Sequence, residues 1–193
     1  MVRFLISIFF TLFVMSSYAS SWTIDLEQSK LNFISIKKVH VAEVHRFNQF
    51  QGELDEQGQF NLAIDLTSVD TNIEVRDNRL REFLFDTEKY ATATLTASID
   101  STELDKLAVA QSKSLSLDAI LKLHGQEKVM QLKLLITKIS DNELLVISSQ
   151  PVLLNVSDFA LVAGVEKLRE LAKLPSISYV VPVTFQLLLT RGF

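Results

Sequence analysis

Apolar and polar residues alternate one by one through most of this chain, and that period of two restricts the fold to β-strands with one apolar face. Phe60, Leu62, Ile64 and Leu66 alternate with Asn61, Ala63, Asp65 and Thr67, and Ala93, Leu95, Ala97 and Ile99 alternate with Thr92, Thr94, Thr96 and Ser98. Leu115 and Leu117 keep one phase with Leu121 and Leu123, and Met130, Leu132, Leu134 and Ile136 follow in the same manner. Short polar connections separate the runs: Asp55 to Gly58, His124 to Gln126 and Ser140 to Asn142. Strands joined so tightly are antiparallel, which predicts a meander. With only five glycines and three prolines there is no linker and one domain is expected, so the sheet has to manage its own edges, and closure into a barrel does so most completely.

Two segments break the alternation. Thr71 and Glu74 have capping-box spacing, and Leu80, Phe83 and Leu84 then share a helical face, which predicts a short helix ending near Phe85. After Asp158, a good N-cap residue, Leu161, Val165, Leu168 and Ala172 recur at helical spacing until Pro175 stops the pattern. The final strand, Ser178 to Thr190, is apolar on one face through Val181, Val183, Phe185, Leu187 and Leu189. Val180, Pro182 and Leu188 make its other face partly apolar, so cover on both sides is expected, with a bulge or rim near Pro182. The expected fold is mainly β: an antiparallel barrel of about eight strands with one short and one longer helix packed against it.

The N-terminus has a different character. Arg3 precedes an apolar run from Phe4 to Met15, and Ser17 and Ala19 place small residues at a cleavage site. Residues 1–19 therefore read as a secretory signal peptide, too short for a bilayer span of about 20 residues, and 20–193 as the exported domain. Export implies the periplasm, with no stable membrane insertion once the signal is gone. Cleavage removes Arg3 and no acidic residue, so the mature chain is one unit more negative than the full-length charge of −4, which argues against nucleic acid. The absence of cysteine excludes both a lipoprotein anchor and a disulfide framework. An oligomer is compatible with the sequence.

Side chains suited to catalysis are sparse. His40 and His45 are five apart and point to opposite faces of a strand, and His124 sits in a turn, so no metal-ligand spacing is present. No serine lies in a Gly-x-Ser-x-Gly elbow, and no glycine-rich phosphate loop occurs. Glu43 and His45 do share a strand face and form the one candidate acid/base pair. The sequence therefore implies neither a cofactor nor an enzyme.

The order of these pieces resembles the YceI-like family of lipocalin-like, polyisoprenoid-binding proteins. The opening Trp22-Thr23-Ile24-Asp25, with Ser29, Phe33, Phe47, Phe50 and Gly52, is similar to the start of that family. So is the central run of Asp70-Thr71, Arg76-Asp77, Leu80-Arg81, Leu84-Phe85-Asp86 and Lys89-Tyr90, and so is Leu123-His124-Gly125. Ala91 replaces the proline usual after the tyrosine, Leu84 replaces an aromatic residue, and no glycine precedes Phe47. The resemblance implies a barrel around a tunnel that holds a polyisoprenoid or quinone-like lipid. Phe33, Phe60, Ile64, Leu117, Leu132, Leu134, Phe185 and Leu187 are the candidate lining residues.

Arg76 and Arg79 on the first helix are candidates for a charged head group, although Arg76, with Asp77 and Glu82 nearby, is better suited to structural ion pairs that pin the helix to the barrel. Alternation by itself leaves a filled barrel open. That alternative, a stress-related structural or interaction protein without a ligand, predicts an exposed apolar patch, for instance on the Leu161 to Leu174 helix. A lipid-modifying enzyme using Glu43 and His45 is the third reading.

Overall fold

The computed structural model describes residues 21–192, so the expected signal peptide and its cleavage site lie outside the described residues. Eleven strands run in the order β1 (Trp22–Lys37), β2 (Val41–Phe47), β3 (Phe50–Leu54), β4 (Gln59–Asp65), β5 (Val69–Asp70), β6 (Thr92–Ser98), β7 (Ser112–Leu123), β8 (Gln126–Ser140), β9 (Glu143–Ser148), β10 (Val152–Asn155) and β11 (Val180–Arg191). Eight of them close an antiparallel barrel, β1-β3-β4-β6-β7-β8-β9-β11 and back to β1. β2 and β5 extend the β1 edge at one end, and β10 extends β11. The expected fold class is the one observed.

Alternation explains the wall. Ala119, Leu121 and Leu123 of β7 are buried while the alternate positions Ser116, Asp118, Ile120 and Lys122 are exposed, and β8 repeats the pattern with Leu132 and Leu134 against Gln131 and Lys133. Polar outside and apolar inside is the reverse of a lipid-facing transmembrane barrel. Among the described residues, no helix is long and apolar enough to cross a membrane. At about 3.4 Å per residue and the usual 35–45° tilt, the 12 residues of β7 give the barrel a wall about 30 Å long.

The turns follow the sequence closely. His124 and Gly125 both have positive φ (51° and 74°), as a two-residue hairpin whose twist matches its strands requires. Gly125 also faces Tyr90, whose ring lies 4.5 Å from that of His124, so the Lys-Tyr and His-Gly elements are in direct contact. One irregularity lies where alternation could not show it. The β1–β11 register shifts between Asp25 and Lys30, and Ser29 Oγ there accepts the Leu188 N–H at 2.9 Å. Of the bulge or rim expected near Pro182, no bulge occurs: Pro182 pairs in register with Leu153 close to the strand's start, at the barrel's end, and on the outer face Leu188 is buried, Pro182 half-buried and Val180 exposed.

Helices gather at the ends. α1 (Glu74–Arg79) continues into a π-helical turn, Leu80–Phe85, as the short helix expected there. Its N-cap is Ile73 rather than Thr71, because the Thr71 hydroxyl and N–H both bond Asp77 instead of capping the helix. α3 (Val162–Leu171) starts later than expected, since Asp158 belongs to a preceding 3-10 turn. Its Leu161 and Val165 side is buried, not an exposed apolar patch. At Gly164 it approaches the π-helical turn so closely that a Cβ would stand 2.5 Å from the Phe83 carbonyl oxygen. The opposite end carries α2 (Ser101–Asp105), which the sequence reading missed; it buries Leu104 and, just after it, Leu107.

Candidate functional site

Inside the barrel lies a cavity of about 200 Å³. Close-packed interiors leave few voids larger than a water molecule, so this volume is a departure from a filled core. The candidate lining residues come together around it: Phe33 from β1, Phe60 and Ile64 from β4, Leu117 from β7, Leu132 and Leu134 from β8, and Phe185 and Leu187 from β11. Phe60, Leu117 and Phe185 point inward yet remain only partly covered, because they face empty space rather than one another. Asn32 is the single polar residue among those lining it. Apolar cavities of about 150 Å³ are known to stay dry, so a void with this lining offers water no polar partners.

Sequence reasoning missed the ends of this cavity. Leu84 and Phe85 from the π-helical turn, with Val156, Phe159 and Leu161 ahead of α3, close one end, and Leu104 of α2 reaches it from the other. A signal existed for Leu84, which shares the helical face read from the sequence with Leu80 and Phe83, and for Phe85 at the expected end of that helix, but their direction relative to the barrel depends on long-range packing. Phe47 was also missed. Its ring lies 5.3 Å from Phe33 and 5.8 Å from Phe85, so an aromatic chain links wall to roof.

Beside this aromatic chain sits a polar cluster. Glu43 Oε2 accepts from Lys37 Nζ at 2.7 Å and from Arg76 Nη1 at 2.6 Å, and Arg76 also donates from Nε to Thr71 Oγ1 and from Nη2 to the Thr71 carbonyl. The lysine hydrogen bond, with Arg76 adding to it, holds the Glu43 carboxyl below its usual range. Arg76 thus pairs with Glu43 and pins α1 to the wall, rather than meeting Asp77 or Glu82. Neither Arg76 nor Arg79 lines the cavity. Arg79 is partly exposed, with no hydrogen bond or ion pair shown among the described residues.

Glu43 and His45 occupy one face of β2, but their polar atoms are engaged apart from each other. His45 Nε2 lies 2.8 Å from Ser35 Oγ, its ring packs 5.2 Å from Phe33, and its Nδ1 is buried without a hydrogen-bond partner among the described residues. Burial, and then the charge of Arg76, pushes the imidazole pKa down, so His45 is neutral at physiological pH. His40 is exposed in the β1–β2 turn and His124 lies at the β7–β8 turn, so the three histidines do not converge.

Comparison with known proteins agrees with this geometry. The model of the YceI-like domain family matches residues 22–189. A polyisoprenoid-binding domain from Saccharophagus degradans, implicated in plant cell wall breakdown, is 39% identical with a TM-score of 0.87, over 89% of this chain and 98% of that one. Burkholderia cenocepacia BcnA superposes with a TM-score of 0.66 at 20% identity, over 86% of this chain and 98% of its own. A Campylobacter jejuni YceI protein does so at 0.59 and 16%, over 82% and 90%. At these lower identities the likeness speaks for the fold alone. No curated protein matches the sequence.

Proposed function

The chain belongs to the YceI-like family, and on that premise we propose that it is a periplasmic carrier that holds a polyisoprenoid, or a similarly long amphiphile such as a quinone-like lipid, in its barrel cavity. The observation that carries this reading is the unfilled interior, walled by apolar side chains from every side of the barrel. A relative at 39% identity described as polyisoprenoid-binding supports the choice of ligand class. Each buried methylene-sized group contributes about 0.8 kcal/mol, so ten of them supply about 8 kcal/mol toward binding before ordering costs are set against it. No polar contact is needed for affinity. A wall about 30 Å long also matches the hydrocarbon layer, about 30 Å thick, that such a lipid would leave.

Within this reading the eight lining residues contact the chain of the lipid. Arg76 is fully committed to Glu43 and Thr71, which leaves Arg79 as the cation of the pair better placed to meet a charged head group. The signal sequence read in residues 1–19 accounts for the compartment.

Extraction of the mature protein from the periplasm with organic solvent, followed by mass spectrometry, tests the proposal. An isoprenoid in amount comparable to the protein is the expected result. Recovery of no lipid, together with failure of added isoprenoids to bind, would overturn it.

A further inference from the structure

A second cavity, of about 280 Å³, lies at the end of the barrel that carries α2. Trp22, Asp55, Glu56, Asp105 and Arg191 surround it, so its walls are charged where those of the first cavity are apolar. The two cavities share only Leu54 and Leu104 as lining residues. Leu54 belongs to strand β3 and is fixed by the barrel; Leu104 is supplied by the five-residue helix α2, which spans the gap between the end of β6 and the start of β7. Both side chains are buried, at 3% and 6% exposure, and stand between the apolar interior and a pocket whose Glu56 and Asp105 are exposed to solvent.

We propose that Leu104 is the floor of the lipid chamber and sets the length of the hydrocarbon chain the protein accepts. This inference rests on the carrier reading above and adds a specificity-determining residue to it. An apolar chain entering the barrel gains by burial for as long as it meets apolar walls. At Leu104 that gain ends, because the next space is bounded by three carboxylates and a guanidinium. The ligand class is therefore an isoprenoid or alkyl chain of bounded length.

α2 is also held in place for this role. Asp100 caps its first turn by accepting the Thr102 N–H at 3.0 Å, Glu103 pairs with Lys113 of β7, and Leu107 anchors the segment that follows. Leu107 is as buried as Leu104 (6% each) but lines neither cavity, which makes it the matched control.

The test is a competition. Wild type and the variants Leu104→Ala, Leu104→Trp and Leu107→Ala are each offered a mixture of polyprenols differing by single isoprene units, and the bound species are weighed by native mass spectrometry. Leu104→Ala removes three side-chain carbons, and each methylene-sized group thereby admitted is worth about fourfold in affinity, so preference for longer members rises by about fourfold or more. Leu104→Trp shifts the distribution toward shorter members, and Leu107→Ala leaves it unchanged. An unshifted distribution in both Leu104 variants, or the same shift in the Leu107 variant, overturns the inference while the carrier reading stands. Absence of any polyprenol on the wild type overturns the carrier reading itself.

Discussion

Substitution of Gly164 by alanine sets two effects of opposite sign against each other. Gly164 lies inside α3, where replacing glycine by alanine stabilises a free helix by about 1 kcal/mol. Here the added Cβ would stand 2.5 Å from the Phe83 carbonyl oxygen and 2.8 Å from Leu84 Cα. Both are backbone atoms and cannot rotate away, so α3 would have to lift by about 0.9 Å to restore ordinary contact, a gap at which dispersion contacts lose up to half their depth. Overpacking of this kind costs about 1–3 kcal/mol, exceeding the helix gain in most of that range, and Leu84, which lines the cavity, shifts with it. We expect a net loss of up to about 2 kcal/mol, which for a domain of this size lowers Tm by up to about 8 °C in a thermal melt. The exposed neighbour Ala163 serves as the control: Ala163→Gly is expected to cost about 1 kcal/mol through propensity alone. A Gly164→Ala protein that melts higher than wild type would refute the close approach of α3 to the barrel roof.

Three further outcomes follow from the polar cluster and its surroundings. Because the folded state lowers the His45 pKa, the folded protein binds fewer protons than the unfolded chain as pH drops below the imidazole's ordinary 6.5. The stability tied to neutral His45 is therefore complete above that pH and lost as pH falls through it. Urea-unfolding midpoints are expected to decline between about pH 7 and pH 5, and His45→Gln to flatten that decline; an unchanged slope in the variant would count against a buried neutral imidazole. The Glu43 carboxyl, held low chiefly by its hydrogen bond from Lys37, adds a separate loss only as pH falls below its ordinary 4.5, so Glu43→Gln should alter the acid limb alone. Asp77→Ala strips the buried Thr71 N–H of its acceptor and should cost about 2–3 kcal/mol in a denaturant titration, with Asp77→Asn recovering most of the loss.

The barrel wall was legible because each inward residue is reported by its own strand. The run Phe60 to Leu66 and the run Met130 to Ile136 fix their inner face whatever the neighbouring strand is, and His124-Gly125 marks its turn by backbone conformation alone. The cavity-facing residues were legible for the same reason. Whether they meet across the interior or leave space was not, since the period of two sets direction and says nothing of distance. Helix starts were misplaced where one polar side chain can serve two purposes: Thr71 has the spacing to cap a helix at Glu74 and also to donate to Asp77, and only packing selects the second. α2 escaped notice because Ser101–Asp105 is too short to show a helical period, although Leu104 and Leu107 at its end are its one apolar pair. The capped ends of the cavity, and with them the floor at Leu104, belong to this class of feature.

The central claim is that one long apolar ligand occupies the barrel interior. Native mass spectrometry of the intact mature protein, beside a Leu117→Trp variant, tests it most directly. Leu117 faces the void, so an indole there fills space that is otherwise empty without displacing packed neighbours. The account predicts a single isoprenoid-mass adduct per wild-type chain and its loss in Leu117→Trp, with thermal stability retained. A bare wild-type mass after exposure to isoprenoids, or an adduct that survives the filled interior, would contradict it.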